Sequence, residues 1–80
     1  MKIKSNLTVS EKGFLFNPSN GDSFSLNTTG QFIINELKQD KSEADVKAAM
    51  LQSFLIDNDT IEKDFYDFML VLKNYQLLEY

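Results

Sequence analysis

Eighty residues, 42% of them apolar, provide for one domain and one core. A chain of this length buries about 60% of its unfolded surface, so nearly every apolar side chain is needed inside and little remains to build a deep active site. With no Cys and no His the chain has no disulfide, thiol nucleophile, imidazole base or usual zinc ligand set, and twelve acidic against eight basic side chains, a net charge of −4, repel phosphate backbones and anionic lipid surfaces.

The N-terminal Met1-Lys2-Ile3-Lys4-Ser5-Asn6 has no apolar signal-peptide core, and no apolar run is long enough to span a bilayer. The expectation is a soluble cytoplasmic protein with no membrane and no nucleic-acid partner. Residues 2–9 read as a first strand, because Ile3, Leu7 and Val9 share one parity with small Ser5 between them. Ser10-Glu11-Lys12-Gly13 is a turn, and Phe14-Leu15-Phe16-Asn17 is a short second strand. Pro18-Ser19-Asn20-Gly21-Asp22 supplies a fixed φ and a glycine tolerant of positive φ for a hairpin connection. Ser23-Phe24-Ser25-Leu26 alternates cleanly and closes the meander as a third strand.

After Leu26 the apolar period changes from two to about 3.6. Asn27 or Thr28 caps a first helix over residues 28–39, with Gly30, Ile33, Ile34 and Leu37 on one face and Phe32 beside them. Ser42-Glu43-Ala44-Asp45 resembles a capping box for a second helix ending near Leu55, whose inner face is Val46, Ala49, Met50, Ser53 and Phe54. Asp57-Asn58-Asp59-Thr60 offers caps for a third and longest helix, in which Ile61, Phe65, Phe68 and Leu72 recur at helical spacing. The fold class these elements predict is α+β, three strands followed by three helices.

Acidic residues crowd the start of the third helix: Asp57, Asp59, Glu62, Asp64 and Asp67. They lack the glycine and the distal Glu of a calcium-binding loop, and capping plus a favourable interaction with the helix dipole accounts for them without a metal. No cofactor, no metal site and no catalytic constellation is expected, so the chain does not read as an enzyme.

The third helix is more apolar than one face requires. Ile61, Phe65, Phe68, Met69 and Leu72 fill a stripe, while Tyr66 and Leu70 lie off it on one side and Val71 with Tyr75 flank it on the other. Either a partner covers some of this surface, or the sheet and the other helices bury both flanks, and the sequence leaves these two readings open. The third strand, if it lies at the sheet edge, has no proline or inward charge to blunt it, which suits it to accept a partner segment as an added strand.

The run Phe24-Ser25-Leu26-Asn27-Thr28-Thr29-Gly30, followed by Ile33-Ile34 and Leu37, resembles the signature of the PqqD-like family, small domains also called RiPP recognition elements. The Phe16-Asn17-Pro18 to Gly21 hairpin before it supports the resemblance. So do Asp64-Phe65, Phe68-Met69 and Leu72 leading into Leu77-Leu78-Glu79. Gln76 departs from the glycine the family commonly places before the final Leu-Leu, which makes Asn74 the candidate left-handed cap of the last helix.

The resemblance implies a winged-helix-like fold that binds the leader segment of a ribosomally made precursor peptide between the third strand and the third helix. It further implies presentation of that peptide to a modifying enzyme such as a radical SAM or ATP-grasp protein. Carried onto this chain, the strand side is Asp22, Ser23, Phe24 and Ser25. For the helix side the expected contacts are Tyr66, Met69, Leu70 and Lys73, one flank that combines apolar surface with a cation for an acidic leader. The alternative is an interaction module, a homodimer through Tyr66 and Leu70 or through Val71 and Tyr75, that binds no peptide. A DNA-binding winged helix is disfavoured, since the third helix exposes a net negative face.

Overall fold

The computed structural model describes residues 2–79, which form in chain order β1 (Lys2–Ile3), β2 (Thr8–Val9), β3 (Phe14–Asn17), β4 (Asp22–Ser25), α1 (Thr28–Lys38), α2 (Glu43–Ser53), α3 (Asn58–Asn74) and β5 (Leu78–Glu79). β2, β3 and β4 make an antiparallel meander with β3 in the centre, and β1 pairs separately with β5. The α+β architecture expected from the sequence, a three-stranded sheet followed by three helices, is the one found.

The first strand is not continuous over residues 2–9. Lys2 pairs with Glu79 and Ile3 with Leu78, and the Lys4 amide extends that ladder to the Leu77 carbonyl at 2.9 Å. The chain then turns at Ser5 and Asn6, with the Leu7 amide donating to the Lys4 carbonyl at 3.3 Å. Lys38 Nζ donates to the Leu7 carbonyl at 2.9 Å, so a side chain on α1 satisfies the acceptor that the broken ladder leaves. The shared parity of Ile3 and Leu7 is nevertheless real, because both are buried.

In the meander, Leu15 stands opposite Val9 on one side and Phe24 on the other. Cross-strand partners share a face, so these three point at the helices, while Thr8, Phe14, Phe16, Ser23 and Ser25 take the opposite face. Gly21, at φ +80°, donates to the Asn17 carbonyl at 2.9 Å and closes the hairpin in a backbone region open mainly to glycine.

Three side-chain caps start the helices. Asn27 Oδ1 accepts from the Gly30 amide at 2.7 Å, Ser42 Oγ from the Asp45 amide at 3.1 Å, and Asp57 Oδ1 from the Thr60 amide at 2.8 Å. Hydrogen bonding by Thr60, through its side chain first and its amide second, favours the charged form of Asp57 and holds its carboxyl below the usual range. α2 ends at Ser53 with Phe54 already extended at φ −117°, slightly before the Leu55 expected. At the far end of α3, the Gln76 amide donates to the Lys73 carbonyl at 3.1 Å and the Leu77 amide to the Leu72 carbonyl at 2.8 Å, the pair of bonds that ends a helix through a left-handed residue. That residue is Gln76, at φ +57°, and not Asn74, which is still helical. The chain keeps the geometry of the expected glycine without the glycine.

The core draws Ile33, Ile34 and Leu37 from α1, Val46 and Met50 from α2, and Ile61, Phe65 and Leu72 from α3, closed by Ile3, Leu7, Leu15, Leu77 and Leu78. Each such side chain contributes about 1.5–3 kcal/mol by leaving water. Lys47 ties α2 to α3, with its Nζ 3.1 Å from Glu43 and 2.8 Å from Glu62. The hydrogen bond to Glu62 is the main reason its ammonium titrates above the ordinary lysine value, with burial opposing. Both carboxylates are exposed, so the pairs add little stability. Among the described residues no helix is long and apolar enough to cross a membrane.

Candidate functional site: a cleft between the sheet edge and the third helix

β4 is an edge strand whose outer side meets no other strand of the described residues. The direction of its backbone groups follows from the register. The Leu26 amide donates to the Gly13 carbonyl at 2.7 Å, and antiparallel partners alternate between bonded and non-bonded pairs. Phe24 opposite Leu15 is therefore a bonded pair. Ser23 and Ser25, opposite Phe16 and Phe14, direct their N–H and C=O groups away from β3. Two residues of free edge thus offer two donors and two acceptors in strand geometry.

Beside this edge runs a cleft of about 500 Å³, walled by Ser23, Phe24, Ser25, Leu26 and Asn27 on one side and by Phe68, Val71, Leu72 and Tyr75 on the other, with Leu15 and Leu77 also lining it. Phe24 and Tyr75 meet across it, ring centroids 4.6 Å apart and planes inclined by 52°. Val71 and Tyr75 are 44% and 52% exposed, so the apolar wall is wet in the free protein. A second hollow of about 310 Å³ continues from Phe68 and Val71 towards the start of α1, lined also by Asn27, Thr29, Gly30, Asp64 and Asp67. That end of the cleft carries negative charge.

Of the residues expected from sequence, Ser23, Phe24 and Ser25 line the cleft. Asp22 does not, since it begins β4 opposite Asn17 at the hairpin end, with its amide held by Asn20 Oδ1 at 2.9 Å. Tyr66, Met69, Leu70 and Lys73 are not on the wall either. Placed at about 100° per residue, they fall on the far side of α3 from Phe68, Val71 and Tyr75. Met69 packs partly against the core, whereas Tyr66 and Leu70 are exposed at 64% and 40% and Lys73 is exposed at the helix end. Both flanks of α3 are therefore uncovered, and Val71 with Tyr75 is the flank that turns to β4. The acidic residues at the start of α3 serve partly as its cap through Asp57, and among the described residues no cluster of three or more acidic groups is disposed to hold a metal ion.

Residues 12–78 match the family model for coenzyme PQQ synthesis protein D (PqqD). Among solved structures, TbiB1 in complex with the TbiA(beta) leader peptide is similar over 99% of this chain and 95% of that one, with a TM-score of 0.87 and 28% sequence identity. Lasso peptide synthetase B1 complexed with the leader peptide shares the fold over 92% of this chain and 91% of that one, with a TM-score of 0.76 and 22% identity. No curated protein sequence matches the chain.

Proposed function

The chain belongs to the coenzyme PQQ synthesis protein D (PqqD) family, and from that premise we propose that it captures the leader segment of a precursor peptide as an added strand on β4 and presents it to a modifying enzyme. The observation that carries this reading is the free backbone of Ser23 and Ser25 beside an apolar cleft of about 500 Å³. Backbone hydrogen bonds at the two serines hold the segment irrespective of its sequence, and the cleft selects the side chain that points inward. The structural neighbour TbiB1, which shares 28% identity, is itself bound to a leader peptide.

On this reading Phe24, Phe68, Val71 and Tyr75 form the anchoring wall, and the flank of Tyr66, Met69, Leu70 and Lys73 does not touch the segment. Asp64 and Asp67 at the cleft's end favour a segment that is not acidic there. The chain acts as a scaffold rather than a catalyst, in keeping with a sequence that has neither Cys nor His. An unstructured leader loses conformational freedom on docking, so affinity is modest unless an apolar anchor fills the cleft.

The test uses a decapeptide selected from a random phage-displayed library on the wild-type protein, with affinity read by fluorescence anisotropy. Ser25→Pro removes an outward-facing amide while leaving the β3 ladder intact, and is expected to abolish binding. Failure to enrich any peptide, or undiminished affinity in the variant, contradicts strand capture.

A further inference from the structure

The outer face of the sheet carries two aromatic rings that the fold leaves uncovered. Phe14 and Phe16 lie on the central strand, yet they are 48% and 42% exposed. The reason is on the neighbouring strand, where their cross-strand partners are Ser25 and Ser23, each rising only one hydroxymethyl group above the sheet. The same two serines are the residues whose backbone is free at the edge.

A strand added along β4 would lie two strand spacings, about 10 Å, from β3. Its residues directly opposite Ser23 and Ser25 would share the outer face with those serines and with Phe16 and Phe14. A serine between them is low enough for a long aliphatic or aromatic side chain to lean across and meet the ring, which a larger residue on β4 would prevent. We propose that the captured segment is read on both faces of the sheet. Its central residue, opposite Phe24, enters the cleft, while the residues before and after it are apolar side chains that pack across Ser23 and Ser25 onto Phe16 and Phe14.

This inference rests on strand capture at β4. It adds that the segment carries three consecutive apolar positions, of which the cleft specifies only the middle one. The occupant of the outer face is the captured segment itself, because the rings are continuous with the free edge and the gap between them is one side chain deep. A second copy of the chain or the modifying enzyme docking on Phe14 and Phe16 would leave peptide affinity independent of these rings.

The experiment compares library selections on the wild-type protein and on the double variant Phe14→Thr, Phe16→Thr, which retains strand-forming residues. Peptides from the wild-type selection are expected to be apolar at three adjacent positions, and those from the variant selection to keep only the central preference. The affinity of a wild-type-selected peptide should fall about fivefold in the double variant and recover in Phe14→Leu, Phe16→Leu. Far-ultraviolet circular dichroism and a thermal melt establish that each variant is folded, and the single variants Phe14→Thr and Phe16→Thr replace the double one if it is not. Unchanged affinity and unchanged flanking preference, with Ser25→Pro still abolishing binding, overturn the two-faced reading and leave strand capture standing. Insensitivity to Ser25→Pro as well overturns both.

Discussion

Phe68 rests directly on Gly30: a Cβ at that glycine would stand 2.9 Å from Phe68 Cε1 and 3.2 Å from the capping oxygen of Asn27. The short motif Leu26-Asn27 followed by Gly30 thus has a physical content. Asn27 starts α1 by capping the Gly30 amide, and the missing side chain at Gly30 lets α3 approach closely enough for Phe68 to reach the cleft.

Substitution at Gly30 should therefore separate stability from binding. In Gly30→Ala the gain in helix propensity, up to about 1 kcal/mol, offsets the displacement of the Phe68 ring. Stability should stay within about 1 kcal/mol of wild type while peptide affinity drops severalfold. Gly30→Val overpacks the contact and should cost about 1–3 kcal/mol in urea unfolding. A Gly30→Val protein as stable as wild type would mean that Phe68 is not held against this turn.

At the end of α3, Gln76 occupies a left-handed conformation at φ +57° that glycine adopts without steric cost. Gln76→Gly should stabilise the domain by about 1 kcal/mol, raising Tm by roughly 4–8 °C for a domain of this size. Asn74→Gly, inside the helix, should lower stability instead. The two melts together locate the left-handed residue.

The Asp57 cap makes a prediction about acid. Its carboxyl titrates below the usual carboxylate range because Thr60 hydrogen-bonds its charged form. Stability from this group is therefore complete above the unfolded-state value and is lost as pH falls through the lower folded-state one. Asn keeps the acceptor but does not titrate. The stability of Asp57→Asn, followed by urea unfolding from pH 6 to about pH 2.5, should accordingly fall less steeply with acid than that of wild type. Parallel curves would show that the cap does not prefer the ionised form.

The two flanks of α3 should differ in their effect on peptide binding. Val71→Asp and Tyr75→Ala alter the wall facing β4 and should weaken a library-selected peptide by tenfold or more, about 1.4 kcal/mol. Leu70→Asp and Tyr66→Ala, on the opposite flank, should leave affinity within about twofold. All four side chains are exposed, so none of the changes opens a core cavity. A loss at Leu70 with none at Val71 would move the site to the other side of the helix.

The elements were largely legible in the sequence, because alternation in Ser23-Phe24-Ser25 and helical spacing in Ile61, Phe65 and Leu72 are local signals. The break at Ser5-Asn6 was not, since β1 is held by β5 from the opposite end of the chain and the pattern of Ile3 and Leu7 fits a continuous strand equally well. On the strand side Ser23, Phe24 and Ser25 were readable as cleft residues for the same local reason, whereas Asp22 falls outside the cleft. Its helix side was not: the sequence shows two apolar flanks on α3, but which one turns to β4 depends on how the helix crosses the sheet. Gln76 shows a third kind of limit, where tertiary context holds a residue in a conformation its own preference disfavours.

The most direct measurement of the central claim is residue-resolved amide hydrogen exchange by NMR on the free protein and on its complex with the selected decapeptide. In the free protein the Phe24 amide, bonded into β3, should be protected, while those of Ser23 and Ser25 exchange freely. On binding, Ser23 and Ser25 should become protected and Phe24 should remain so. A complex in which both serine amides stay fast would contradict capture of the segment as a strand on this edge.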